Sequence, residues 1–359
     1  MFSKQEKKRY DRHFRLKEVG EQGQQELKKA KVLVVGAGGL GCPVLQYLTS
    51  AGVGEIGIMD GDIVDTSNLQ RQVLYTIDDI GKQKSTIGIS RLSAQNNFVR
   101  FYDYAFNLEK ENALEIITKY DVVVDCTDNF SARYLINDAC VLLGKSFVYG
   151  ALHKFSGQLS VFNYKEGPTY RCLYPNPPKD GDIPSCSEVG VIGVLPSLIG
   201  TLQAIEVLKI ILNIGDVLSG KLLTYNSMSN VQQIINILNT NIQITQLTSY
   251  NFDCVLPKNN EIEVGTLKSW IETNQQFNII DIREQYEIDD FKLNATHYIP
   301  MGGFLDDLEE IDFKIPTIIF CQYGAKSKAI VSILKRKEIN KVFSLVGGVQ
   351  KWIEQDLEN

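Results

Sequence analysis

Apolar positions along this chain gather into short β-branched runs separated by longer mixed stretches, the pattern of buried strands alternating with helices. Val32 to Val35 is followed by a glycine turn, by a helical pattern from Leu40 to Ala51, and by a second strand pattern from Glu55 to Asp60. That order predicts a βαβ unit, and with it a parallel sheet covered by helices on both faces. Val122 to Asp125 predicts a third buried strand, Ala132 to Leu143 a helix, and Ser146 to Tyr149 a further strand. Shorter strands are expected at Gln158 to Tyr164 and Lys221 to Tyr225, with a Pro-rich segment at 174–184 between them. From Val189 to Leu212 the chain is apolar enough to suggest a membrane span, but Pro196, Gln203, Glu206 and Lys209 interrupt it. A helix covered on most sides by the core or by a second subunit is the better reading, which the periodic apolar positions Leu202, Ile205, Val207, Leu208 and Ile211 suit.

Polar residues dominate 240–262, where Pro257 and the pair Asn259 and Asn260 predict a linker. Strand and helix alternation then restarts at Asn278 to Ile282, Thr317 to Cys321, Ser327 to Lys337 and Lys341 to Leu345. The expected organisation is a first domain at 1–250, a linker at 251–262 and a smaller α/β domain at 263–359. A length of 359 residues fits two domains. The 37 Lys and Arg against 43 Asp and Glu give a net charge of −6, which offers no general attraction to nucleic acid or anionic membrane. Met1 to Leu16 holds no apolar leader pattern, and seven cysteines without dense spacing fit reduced thiols, so a cytoplasmic location is expected.

Gly36, Gly38 and Gly41 form G-x-G-x-x-G directly after the first strand, with Gly39 as an extra glycine. Backbone amides at such a turn face phosphate oxygens, and Asp60 stands where an acid meets a ribose hydroxyl, which predicts a Rossmann-like nucleotide site. Alone, this fingerprint favours NAD and a dehydrogenase. The neighbouring residues Asp62, Ser67, Asn68, Leu69, Gln70, Arg71 and Gln72, with Lys84, Asp128 and Asn129, favour ATP with magnesium instead, because a triphosphate needs cations and a carboxylate. Taken singly, Arg71 and Lys84 are equally compatible with surface charges, and Asp128 with a helix cap.

Gly-Ala-Gly-Gly-Leu-Gly-Cys at 36–42, Ser-Asn-Leu-Gln-Arg-Gln at 67–72, Asp-Cys-Thr-Asp-Asn at 125–129 and Tyr-Arg-Cys-Leu-Tyr at 170–174 resemble the MoeB/ThiF/HesA family, relatives of the ubiquitin-activating enzymes. The resemblance covers about residues 5 to 250. It implies adenylation of the C-terminal glycine of a ubiquitin-like sulfur carrier ending in Gly-Gly. It also implies that Gly39 lies under the nucleotide, that Asp60 binds ribose, that Asn68, Arg71 and Lys84 hold phosphates, and that Asp128 holds magnesium with Asn129 beside it. Arg12 matches an arginine that such homodimers insert into the neighbouring subunit's site.

The cysteines divide by context. Cys42, Cys126 and Cys140 lie in apolar or helical surroundings and are expected in the core. The family's structural zinc uses two C-x-x-C pairs, of which only Cys172 and Cys254 remain, Thr169 standing where a ligand belongs; zinc is expected to be absent, since two thiolates cannot close a four-ligand site. Cys186 matches a loop cysteine that the family uses for a thioester or disulfide with the carrier. Cys321 follows a buried strand and opens the loop Gln322-Tyr323-Gly324-Ala325-Lys326 before a helix, an arrangement able to turn amides inward as an anion nest.

With Asp281-Ile282-Arg283-Glu284, His297-Tyr298-Ile299-Pro300 and Leu345-Val346-Gly347-Gly348, this segment resembles a rhodanese-like sulfurtransferase domain over about 260–359, which implies a persulfide on Cys321. Lys326 stands where an arginine is frequent, and His297 is expected to be structural. The combined expectation is carrier adenylation followed by sulfur transfer from Cys321, with Cys186 resolving the acyl disulfide and a cysteine desulfurase or thiosulfate as sulfur donor. An adenylyltransferase with an inactive docking domain, an NAD-dependent oxidoreductase and a non-catalytic carrier-binding module are the alternatives.

Overall fold

In a computed structural model of the chain, the described residues are 1–177, 190–240, 242–247, 260–288, 295–304 and 311–357. They divide into two compact units, one up to residue 247 and one from residue 260.

The first unit is built on eight strands: β1 (Lys31–Val35), β2 (Glu55–Met59), β3 (Arg100–Tyr104), β4 (Val122–Asp125), β5 (Ser146–His153), β6 (Ser156–Phe162), β7 (Lys221–Asn226) and β8 (Val231–Asn236). Their order in the sheet is β3-β2-β1-β4-β5-β6-β7-β8. The pairs from β3 to β5 are parallel and those from β5 to β8 antiparallel. The α/β, doubly wound, mostly parallel reading therefore holds. Strand order reverses between β1 and β4, and ligands of such sheets bind at the carboxyl ends beside that reversal. Val32, Leu33, Val34, Val122, Val123 and Val124 are buried, as expected of central strands covered on both faces.

Two strands escaped the sequence pattern. β3 reads Arg-Phe-Tyr-Asp-Tyr, and its exposed edge position removes the apolar run that marks a buried strand. β8 is exposed along its whole length, so no alternation betrays it.

Helix Val194–Leu212 packs against the sheet through Leu195, Ile199, Ala204 and Val207. Its interior polar residues are satisfied there: Gln203 Nε2 donates to Asp125 O at 2.7 Å, and Glu206 Oε2 accepts from Leu218 N at 2.9 Å. Such partners mark it as a core helix. Ile205, 45% exposed, and Leu198, 38% exposed, are left uncovered by the core of this chain.

In the second unit, β9 (Glu261–Ile262), β10 (Asn278–Asp281), β11 (His297–Tyr298), β12 (Thr317–Phe320) and β13 (Val342–Leu345) form a parallel sheet in the order β11-β10-β12-β13-β9. β9 pairs with β13, so the expected linker at 251–262 runs one strand too far; its residues 251–259 lie outside the described ones. Helices Val264–Glu272 and Gly348–Leu357 were also unanticipated.

The first helix after β1 begins where backbone meets backbone. Gly36 has φ +95°, and a Cβ on Gly41 would lie 2.0 Å from Gly36 O. Gly41→Ala is therefore expected to destabilise the first unit by about 1–3 kcal/mol or more, as overpacking does. Gly38→Ala, whose added Cβ would meet only Gln72 Nε2 at 3.5 Å, should leave it folded. Urea denaturation of both variants checks the contrast.

Candidate active sites

The crevice of the first unit is assembled around the loop joining β1 to helix Gly41–Ala51. Asp60, just past β2, accepts from Ala37 N at 2.7 Å and from Asp62 N at 2.9 Å, which ties the acid to the glycine loop. Burial pushes the Asp60 carboxyl above its ordinary value, against the opposing pull of Lys84 and those two amides. Tyr75 donates through its hydroxyl to Ala37 O at 2.8 Å and is also 3.2 Å from Lys84 O. Lys84, the first residue of helix Lys84–Gln95, is only 5% exposed and pairs with Asp62 Oδ2 at 2.9 Å. Burying an ammonium costs solvation, so this lysine is built in rather than a surface charge.

The Ser67 to Arg71 segment is organised by a residue the sequence reading gave no role. Asp65 accepts from Ser67 N at 2.8 Å and Ser67 Oγ at 2.6 Å, while Asn68 Oδ1 accepts from Asp65 N at 3.2 Å, forming a capping box. Ser67 and Asn68 thus hold each other's turn before any phosphate is considered. Arg71 donates to Ser67 O at 2.9 Å, and a Cβ on Gly39 would meet Arg71 Cγ at 3.6 Å and Pro196 Cβ at 3.0 Å. Leu69 packs on the core, and Gln70 is exposed with its backbone close to Gly193.

Gln72 is buried beside Gly38, and its Oε1 has no partner among the described residues. An acceptor kept dry and unpaired here suits a donor on a bound molecule, such as a nucleotide hydroxyl or amine. With the open face of Gly38 and the cation at Lys84, the crevice fits ATP.

β4 delivers the remaining residues alongside, Val35 pairing with Asp125. Asp125 is wholly buried; Oδ1 accepts from Thr127 N at 3.0 Å and Thr127 Oγ1 at 2.7 Å, while Oδ2 accepts no hydrogen bond among the described residues and forms a long ion pair with Arg133 Nε at 3.9 Å. The turn carries Asp128 outward, exposed and open to a cation, a donor suited to magnesium. Asn129, not Asp128, caps the following helix by accepting from Ala132 N at 2.8 Å. Arg12 is exposed on helix Asp11–Phe14, and no hydrogen bond or ion pair joins it to this crevice among the described residues.

Cys42, Cys126 and Cys140 are buried, and burial pushes their thiols up, Cys42 to about 12. Burial also raises Cys172, but hydrogen bonds from Thr240 and Thr169 outweigh it and leave the thiol below its ordinary value. Thr169 N lies 3.4 Å and Thr240 N 3.5 Å from that sulfur, where the family's zinc would need further thiolates. No group of three metal-ligating side chains occurs among the described residues. Cys186 and Cys254 lie outside them.

In the second unit Cys321 follows β12 directly, and helix Ala325–Arg336 starts two residues earlier than expected. Gly324, at φ +87°, lets the chain turn so that its N–H points to Cys321 Sγ at 3.2 Å. Ser327 Oγ lies 3.7 Å from the sulfur, donates to Gly324 O at 3.0 Å and meets Ser344 Oγ at 2.8 Å. The expected nest thus consists of one amide backed by a hydroxyl relay. Val349 N donates to Cys321 O at 3.0 Å, and a Cβ on Gly348 would sit 2.3 Å from that oxygen. Arg283 is buried against Asp281, with Nε to Oδ1 at 3.0 Å and Nη2 to Oδ2 at 2.8 Å, and reaches Gln322 Oε1 at 3.4 Å. Among the described residues the hydrogen bonding of His297 is confined to the neighbouring Thr296 hydroxyl, 3.0 Å from Nδ1.

Residues 10–244 match the ThiF family and residues 263–355 the rhodanese-like domain. A sulfur carrier protein adenylyltransferase of Thermus thermophilus is 53% identical over 232 residues, covering 63% of this chain and 86% of its own. The "Adenylyltransferase and sulfurtransferase MOCS3" of Xenopus laevis is 35% identical over 387 residues, covering 96% of this chain and 86% of its own. Among solved structures, E. coli MccB with ATP superposes with a TM-score of 0.57 at 23% identity, over 65% of this chain and 72% of that one, a likeness of fold.

Burial dominates at Asp125 and raises its carboxyl above the ordinary 3.8. The native state therefore binds that proton more tightly than the unfolded chain, so its contribution is complete below the ordinary value and is lost as pH rises through the native one. Asp125→Asn keeps an acceptor for Thr127 and should flatten this part of the fall. Melting temperatures of both proteins between pH 4 and 8 give the comparison.

Proposed function

Because the chain belongs to the ThiF family and continues into a rhodanese-like domain, we propose that it is an adenylyltransferase and sulfurtransferase acting on a ubiquitin-like sulfur carrier that ends in Gly-Gly. The observation that carries this reading is the buried Lys84 beside Asp62 and the glycine loop. A hydride-transfer site needs no such cation, whereas nucleotidyl transfer gathers charge that it offsets.

The carrier's terminal carboxylate attacks the α-phosphorus of ATP; an O–P bond forms, the bond to the β-phosphate oxygen breaks, and pyrophosphate leaves. The nucleophile is already ionised, so no general base is needed. Gly39 supports the nucleotide, Asp60 accepts from ribose, Gln72 takes a further donor, and Asn68, Arg71 and Lys84 hold phosphate oxygens. Asp128 holds magnesium, which when bound offsets phosphate charge. In the second unit a persulfide on Cys321 attacks the acyl carbon and AMP leaves. Cys186 then attacks the Cys321 sulfur, releasing thiocarboxylate and leaving a disulfide to be reduced. Covalent linkage of the two units raises the effective concentration of persulfide for the adenylate.

The reading extends to a cytoplasmic homodimer in which Arg12 serves the other subunit's site. Exposed Leu16, Leu198 and Ile205 support such a contact, at 51%, 38% and 45% exposure. A cysteine desulfurase or thiosulfate supplies sulfur, and zinc is absent, Thr169 replacing a ligand next to Cys172.

ATP–pyrophosphate exchange should depend on the carrier, and Lys84→Ala should reduce it by about 100-fold, the scale of losing one charge-stabilising donor. Cys321→Ser should keep the exchange and lose thiocarboxylate, read by mass spectrometry of the carrier; unchanged thiocarboxylate would remove the second unit from the mechanism. Arg12→Ala should impair exchange with the dimer intact by sedimentation.

A further inference from the structure

The cation in the helix that follows Cys321 is paired with a carboxylate. Lys326, in the first turn of the helix after Cys321, places Nζ 2.9 Å from Glu287 Oε1 and 3.1 Å from Oε2. Glu287 is itself fixed, because its Oε2 accepts from Glu284 N at 2.8 Å and its carbonyl accepts from Arg283 Nη1 at 3.1 Å. Three further cations of this unit are likewise matched: Arg283 by Asp281, Lys328 by Glu261 and Lys351 by Glu263. Backbone stabilisation of Cys321 Sγ comes from the single N–H of Gly324. The loop therefore has amide polarity for one sulfur charge but a cation whose field is cancelled at contact distance.

Resting on the reading that Cys321 carries sulfane sulfur, we propose that Glu287 is a specificity determinant: by neutralising Lys326 it disfavours dianionic sulfur donors and favours singly charged ones, the persulfide and thiosulfonate class. With thiosulfate, the Cys321 thiolate bonds to the outer sulfur, the S–S bond to the sulfonate breaks, and its electron pair leaves on sulfite, so three negative charges crowd the loop. With a persulfide anion the same displacement releases a thiolate, and with a thiosulfonate anion a sulfinate; each gathers only two. Every extra charge is unfavourable where the neighbouring ammonium is already paired.

The test compares thiosulfate, a dianion, with benzenethiosulfonate, a monoanion, using cyanide as sulfur acceptor and the full chain. Glu287→Gln retains an acceptor for Glu284 N and removes one negative charge beside Lys326. It should raise kcat/KM for thiosulfate about tenfold relative to benzenethiosulfonate. Lys326→Gln should shift the ratio the other way, and the double variant, again neutral at this pair, should return near the parent ratio. A ratio that stays constant across the three variants while intact mass shows persulfide on Cys321 overturns the charge proposal alone. Absence of persulfide from either donor in the parent protein overturns the sulfur-carrying reading along with it. Matching melting temperatures separate a charge effect from a collapsed loop.

Discussion

The first unit depends on one close approach of backbone to backbone, Gly36 carbonyl against Gly41 Cα, at the start of the first crossover helix. Removing the side chain at residue 41 lets the helix begin directly behind β1, so its free amides open onto the crevice where strand order reverses. Gly36 carries the positive φ that turns the chain there, and its added Cβ would collide with Cys126 O, so β4 is drawn to the same point. Ala37, between these constraints, is held on one side by Asp60 and on the other by Tyr75. Asp60 and Tyr75 are consequently fixed through backbone groups. Their placement therefore survives the polarity and exposure that a site requires.

The second unit uses a related device for different chemistry. A glycine in left-handed conformation again follows the carboxyl end of a central parallel strand, but the group it serves is the chain's own sulfur. Gly348 permits the β13 loop to approach the Cys321 carbonyl, so the backbone carrying the thiol is held from the end of β13. Charge is arranged in opposite ways at the two sites. Lys84 lies buried against the exposed carboxylate of Asp62, whereas Lys326 is matched by a carboxylate that is itself fastened.

Buried parallel strands, the glycine turn and both strand-to-loop cysteine and acid motifs are legible in the chain itself, because apolar runs and glycines at close approaches are local consequences of burial and sterics. Edge strands β3 and β8 are not, since exposure on an edge removes the apolar signal, and Asp65, Gln72 and Tyr75 are not, since their importance lies in partners far from them in space. Sequence alone thus determined the two-unit α/β architecture. Only the tertiary structure decided that Asn129 rather than Asp128 caps the helix, that Ile205 faces outward, and that Lys326 is paired with Glu287. The reason is that hydrogen bonds and ion pairs act over a few ångströms between residues that the chain order leaves unrelated.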